Sequence, residues 1–200
     1  MGGFGPTATL KTHTWATWMQ NAYESEERAH EARAALIEEV KEGRPRESVT
    51  TEMRWAMRAV SESASAIEAV GGDVLDAMGA TEGSERPAWR RVLANAGHAA
   101  NLEAAAWEER LDWLFKLRNE TVHSKPTPAE PVVHPLGREF MGSVSSEAAK
   151  LTCESATRAV EIAAAFIRAV VENPRDDPAA QTWSKQVGDL ARSTRARSRR

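Results

Sequence analysis

The 200-residue chain has a single cysteine, Cys153, so it cannot form an intrachain disulfide. It also has no run of about 18 apolar residues, which excludes an ordinary membrane-spanning helix. Residues 1–6 lack the charged and apolar regions of a signal peptide, and Pro6 does not fit a myristoylation signal. The sequence therefore predicts a protein without a membrane segment, in a reducing cytoplasm.

Tyrosine and phenylalanine are also scarce, with one and four residues, and no segment alternates convincingly as a β-strand would. Alanine, glutamate, arginine and leucine dominate, and these residues favour helices. The seven tryptophans are expected to anchor a helical core or an interface. The composition predicts an all-α fold.

Basic residues are few outside the C-terminal end. Residues 192–200 hold five arginines and no acid, while the remainder carries 21 basic against 29 acidic side chains, a balance of −8. An acidic body does not bind nucleic acid through general electrostatic attraction, so only the tail has that character. We expect the tail to be disordered and solubilising.

Apolar residues recur at helical spacing in six segments separated by glycine, proline and N-capping residues. In the first segment Trp15, Ala22, Ala29 and Leu36 recur every seven residues, and Trp18 widens this stripe. The second segment has a bundle seam that includes Met57, and the fifth has a seam from Ala149 to Val170. The predicted helices run from 12 or 14 to 42, after 48 or 50 to about 78, from 88 to about 99, from about 101 to 123, after 143 or 145 to 173, and from 178 to 191. They form a helical bundle of four to five main helices plus a short C-terminal helix. The predicted domain spans 12–191, with a flexible terminus at 1–11, a proline-rich loop at 124–142 and the tail at 192–200.

The end of the fourth helix combines an arginine, an amide and a histidine. Arg118 follows Trp107, Leu111 and Leu114 on the apolar stripe, where a charge is costly unless it finds a partner. Arginine offers a planar fork for phosphate oxygens, and His123 offers a side chain that exchanges protons near neutral pH. Together they suit the attack of a ribose 2′-hydroxyl on its own phosphodiester, without a metal.

The segment Arg118-Asn119-Glu120-Thr121-Val122-His123 resembles the Arg-polar-x-x-x-His signature of HEPN domains. These domains are helical bundles, often dimeric, and many are metal-independent endoribonucleases of toxin–antitoxin, phage-defence or CRISPR-associated systems. The resemblance implies that Arg118 contacts phosphate, that His123 is the general acid/base and that Asn119 orients substrate or His123. It further implies a homodimer, an RNA substrate, possible control by a neutralising partner protein and no cofactor or metal.

Two alternatives remain open at this stage. The first is a non-catalytic HEPN-like module for binding or dimerisation, in which Arg118 pairs with a glutamate of another helix and His123 caps its own helix. The second is a ferritin-like di-metal bundle built on two Glu-x-x-His pairs, Glu27/His30 and Glu120/His123. Its further ligands would come from the following glutamates: Glu62, Glu68, Glu154 or Glu161.

Overall fold

The computed structural model describes residues 13–43, 48–123, 133–134, 138–139 and 150–197. It confirms the all-α bundle. The helices are α1 (Thr14–Lys41), α2 (Ser48–Met78), α3 (Ala88–Ala96), α4 (Ala104–His123), α5 (Cys153–Glu172) and α6 (Pro178–Arg197). Two two-residue strands, β1 (Val133–His134) and β2 (Arg138–Glu139), pair antiparallel within the predicted proline-rich loop. None of the described helices has the length and apolar character that a membrane span requires.

Helices α1 and α2 form an antiparallel hairpin that is the base of the bundle. The predicted seven-residue repeat of α1 is buried throughout: Trp15, Ala22, Ala29 and Leu36. At the turn of the hairpin, the buried Glu39 carboxylate accepts hydrogen bonds from the Ser48 backbone N–H and hydroxyl. Glu39 therefore satisfies the first backbone donor of α2, as an N-capping side chain would.

Helix α5 packs along the hairpin, and α4 lies antiparallel to α5. The seam predicted for α5 is buried from Cys153 to Val170. Trp107 of α4 meets Phe166 of α5 edge-on, with ring centroids 5.2 Å apart. The apolar sides of α4 and α5 complete one continuous apolar core, because each helix buries the side that its sequence periodicity marked as apolar.

Loop backbone hydrogen bonds join the ends of α3 and α5. The Asn101 N–H donates to the carbonyl of Asn173, and the Arg175 N–H donates to the carbonyl of Ala99, both at 2.8 Å. Because this short bridge ties the α3–α4 connection to the α5–α6 connection, it fixes the position from which α4 starts.

Three details of the sequence prediction were wrong. Helix α5 begins at Cys153, where the Thr152 hydroxyl caps it, and not after Ser143 or Ser145. Helix α6 continues to Arg197, six residues past its expected end, because no glycine or proline stops it. Trp18 and Met57, assigned to buried stripes, are exposed at the edges of those stripes. The predicted flexible residues 1–11 lie outside the described part of the chain.

Candidate functional site

Arg118 lies in the C-terminal half of α4 and points toward α2. Its Nη1 donates a hydrogen bond of 3.0 Å to Oε1 of Glu68, and its guanidinium carbon lies 5.8 Å from the centroid of the Phe115 ring. The two charged side chains are 29% and 31% exposed, so water reaches both. The charge predicted on the apolar stripe thus sits at the rim of the core, where it finds the partner that it needs.

The other two residues of the motif follow Arg118 along the same helix. Asn119 is exposed, while the Thr121 hydroxyl donates to the carbonyl of Arg118 at 2.8 Å. His123 is the last residue of α4, and its side chain is outside the described structure. At about 100° per residue, positions 118 and 123 lie about 140° apart around the helix. Within one chain, Arg118 therefore faces α2, and position 123 lies on a different side of α4.

Position 123 shares its side of α4 with three described residues. Asp112, Lys116 and Asn119 precede it by eleven, seven and four positions, which places all four within about 60° of arc. The Lys116 ammonium is 69% exposed and lies 2.7 Å from the Asp112 carboxylate, which raises the pKa of Lys116. This outer face of α4 is polar, accessible and next to the Arg118 side.

Glu68 was predicted from sequence only as a metal ligand, and not as the partner of Arg118. Glu68 lies at a half-buried position of α2, 50 residues before Arg118. Spacing along one helix carries no information about which residue of another helix will face it. Only the general expectation, a glutamate on a neighbouring helix, was available from sequence, and the structure confirms it.

A second polar cluster lies between the hairpin and the start of α5. Arg33 binds Glu52 through two hydrogen bonds, Nε to Oε2 at 2.9 Å and Nη2 to Oε1 at 2.6 Å. Its Nη1 also donates to Glu154 at 3.0 Å, and Glu52 accepts the backbone N–H of Cys153 at 2.9 Å. The Glu52 side chain is only 1% exposed. The cluster joins α1, α2 and the first turn of α5 through a buried carboxylate.

Hydrogen bonds, burial and neighbouring charges in this cluster shift the pKa values of its members. Hydrogen bonding to Glu52 raises the pKa of Arg33, so this guanidinium stays charged. Burial raises the pKa of the Cys153 thiol to about 12. Partial burial alone would raise the pKa of Glu154, but hydrogen bonds from the Thr152 side chain and the backbone, with the Arg33 charge, lower it to about 2. The cysteine is therefore a neutral thiol at physiological pH and a poor nucleophile.

A metal ion needs several histidine, cysteine, aspartate or glutamate ligands close together. In the described part of the chain, one group of three such side chains has its ligand atoms within 4.8 Å of one another: Glu52, Cys153 and Glu154. Arg33 already supplies the positive charge that a metal would bring, and it uses both oxygens of Glu52. This group is best explained as a structural ion-pair network.

The described ligands of the ferritin-like alternative are held apart by other partners. His30 Nε2 lies 2.8 Å from the Thr157 hydroxyl, Glu62 binds Ser25 and Arg58, and Glu120 binds Lys150. Glu68 binds Arg118, and Glu154 binds Arg33. Among residues whose side chains are described, these five do not converge on a common point. The structure gives this alternative no support.

No protein-family model matches this chain, and comparisons with curated proteins and with solved structures also found no match.

Proposed function

We propose that the chain is a HEPN-like, metal-independent endoribonuclease in which Arg118, His123 and Asn119 act on an RNA phosphodiester. The supporting observation is the environment of Arg118. Its guanidinium is anchored at the rim of the core but remains 29% exposed, one and a half helical turns before His123. A fixed and accessible guanidinium is well suited to bind a phosphate and to stabilise charge that develops on it.

In the proposed reaction, His123 accepts the proton of a ribose 2′-hydroxyl, whose oxygen then attacks the adjacent phosphorus. The bond from phosphorus to the 5′-oxygen of the next nucleotide breaks, and that oxygen takes up a proton from solvent water. Arg118 neutralises the negative charge that builds on the non-bridging oxygens. The products are one RNA with a 2′,3′-cyclic phosphate and one with a 5′-hydroxyl. Asn119, exposed beside Arg118, orients the substrate or His123.

The site is completed in this proposal by a second copy of the chain. Because positions 118 and 123 lie about 140° apart around α4, they do not share one face of one helix. In a two-fold dimer, a groove along the boundary between the Arg118 side and the outer face of each α4 would bring two arginines and two histidines together. The resemblance to HEPN domains extends the proposal to a toxin or phage-defence role in the cytoplasm, controlled by a neutralising protein.

The test is cleavage of a labelled structured RNA in EDTA by the wild type and by Arg118→Ala and His123→Ala. Matched controls are Arg110→Ala, on the same helix, and His98→Ala, at the α3–α4 connection. The proposal expects cleavage that both motif variants lose by at least about 100-fold, the usual contribution of one such group, while both controls retain it. Equal cleavage by all five proteins would indicate a contaminant, and none by any of them across a broad RNA panel would contradict the proposal.

The second candidate is a non-catalytic helical module, which the Arg118–Glu68 ion pair favours. In that case the arginine neutralises a carboxylate at the α2–α4 contact and has no substrate. Arg118→Ala would then lower the free energy of unfolding, and a conservative Arg118→Lys, which keeps the charge, would restore much of it. The nuclease proposal expects Arg118→Lys to stay folded but nearly inactive, because lysine lacks the planar fork.

A further inference from the structure

We infer that Glu68 holds the place of a substrate phosphate, and that RNA displaces it from Arg118 on binding. This inference depends on the proposed RNA-binding role of Arg118, and it assigns to the same site a residue that sets its affinity. It starts from the chemistry of the pair, because a carboxylate and a phosphate use the same guanidinium donors.

The contact has the features of a displaceable pair. It is a single hydrogen bond from Nη1 to Oε1, whereas Arg33 and Glu52 share two bonds in a nearly dry site. Both partners are about 30% exposed, so the pair already competes with water. In an exposed ion pair of this kind, the paired state is favoured over the separated side chains by a factor of at most about five.

The surface of α2 beside Glu68 leaves room for a ligand. Ser65 and Gly72 flank Glu68 at positions i−3 and i+4, on the same side of the helix. A Cβ placed on Gly72 would meet nothing within 4 Å. The exposed surface of α2 one helical turn from Glu68 is therefore unobstructed.

The carboxylate also opposes the substrate by its charge. When a phosphate binds Arg118, Glu68 loses its partner and is left beside a second anion. Replacing it with glutamine removes the negative charge that strengthens its contact with Arg118 and that repels the phosphate, and keeps a side chain of similar shape. Glu68→Gln should therefore bind RNA about two- to fivefold more tightly, the range set by the strength of the exposed pair.

The experiment measures binding of a fluorescent 2′-O-methyl RNA, which cannot be cleaved through its 2′-oxygen, by anisotropy at fixed low salt. The proteins are the full-length wild type, Glu68→Gln, Arg118→Ala and the double variant. Glu120→Gln is the matched control, because it removes a charge two positions from Arg118 that is paired with Lys150 instead. Thermal unfolding checks that every variant is folded.

The expected result is a two- to fivefold lower Kd for Glu68→Gln, a smaller change for Glu120→Gln, and no effect of Glu68→Gln in the Arg118→Ala background. The inference is overturned by an unchanged or higher Kd for Glu68→Gln, by an equal effect with and without Arg118, or by no RNA binding in any protein. Failure of the nuclease proposal is seen separately, as absent cleavage of unmodified RNA, and leaves this binding result intact.

Discussion

The ion pair between Arg33 and Glu52 is expected to be the most sensitive polar contact in the bundle. In Arg33→Met, the methionine keeps the apolar stem, but the Glu52 carboxylate stays buried and loses the two hydrogen bonds from its charged partner, while the Cys153 N–H still donates to it. Removing one partner of a buried pair costs about 3–5 kcal/mol. Because Glu52 keeps that N–H at the N-terminus of α5, we expect the lower end, about 3 kcal/mol.

The assay is urea unfolding at pH 7, followed by tryptophan fluorescence and by far-ultraviolet circular dichroism. The control is Lys41→Met, whose ammonium is 64% exposed and paired with the exposed Glu38, and which should change the free energy of unfolding by less than about 1 kcal/mol. The double variant Arg33→Met/Glu52→Gln should recover at least half of the loss, because the uncompensated charge is gone. A loss below 1 kcal/mol for Arg33→Met alone would refute the assignment of this cluster as a buried structural pair.

Three further predictions concern single residues. Burial raises the pKa of the Cys153 thiol to about 12. The thiol should therefore react with a thiol reagent at pH 8 at least about 100-fold more slowly in the native than in the urea-unfolded protein. Equal reaction rates would contradict the burial. The pKa of Glu154 is lowered to about 2 in the folded state, so its contribution to stability is present above about pH 4.5 and is lost as the pH falls toward 2. The free energy of unfolding of Glu154→Gln should therefore depend less on pH between 4.5 and 2. A pH profile equal to that of the wild type would argue against the depressed pKa. Gly72→Ala should raise the free energy of unfolding by about 0.5–1 kcal/mol, because its helical position has open space. Gly71→Ala, whose Cβ would lie 3.4 Å from Asn95, should raise it by less. The reverse order in urea unfolding would show that the α2–α3 packing is different.

Helical periodicity predicted the fold because each helix buries one face, and the spacing of apolar residues records that face directly. The stripe of α1 from Trp15 to Leu36 and the seam of α5 are buried as predicted. Prediction was less accurate at the edges, where Trp18 and Met57 fit the same period but lie just outside the contact with neighbouring helices. The start of α5 was misplaced because serine and threonine cap helices about equally well. Thr152 is the cap because it forms a capping box with Ser155, and Glu52 of α2 accepts the Cys153 N–H beside it.

The candidate site could be located on α4 from sequence, but its environment could not. An arginine on an apolar stripe predicts that a partner exists, and the hydrogen bond to Glu68 identifies it. The cluster of Arg33, Glu52 and Glu154 went unrecognised, because its members come from three helices that no local pattern relates. The role of His123 stays a prediction, since it depends on a side chain outside the described structure.

The decisive observation for the proposed nuclease is the chemistry of the RNA ends. A substrate with one ribonucleotide in an otherwise deoxyribose strand is incubated in EDTA with the wild type and with His123→Ala, and the products are weighed by mass spectrometry. The account predicts cleavage at the ribonucleotide alone, with a 2′,3′-cyclic phosphate on one product and a 5′-hydroxyl on the other, and none of either with His123→Ala. Products with a 5′-phosphate, cleavage of the all-deoxyribose strand, or the same products from His123→Ala would contradict it.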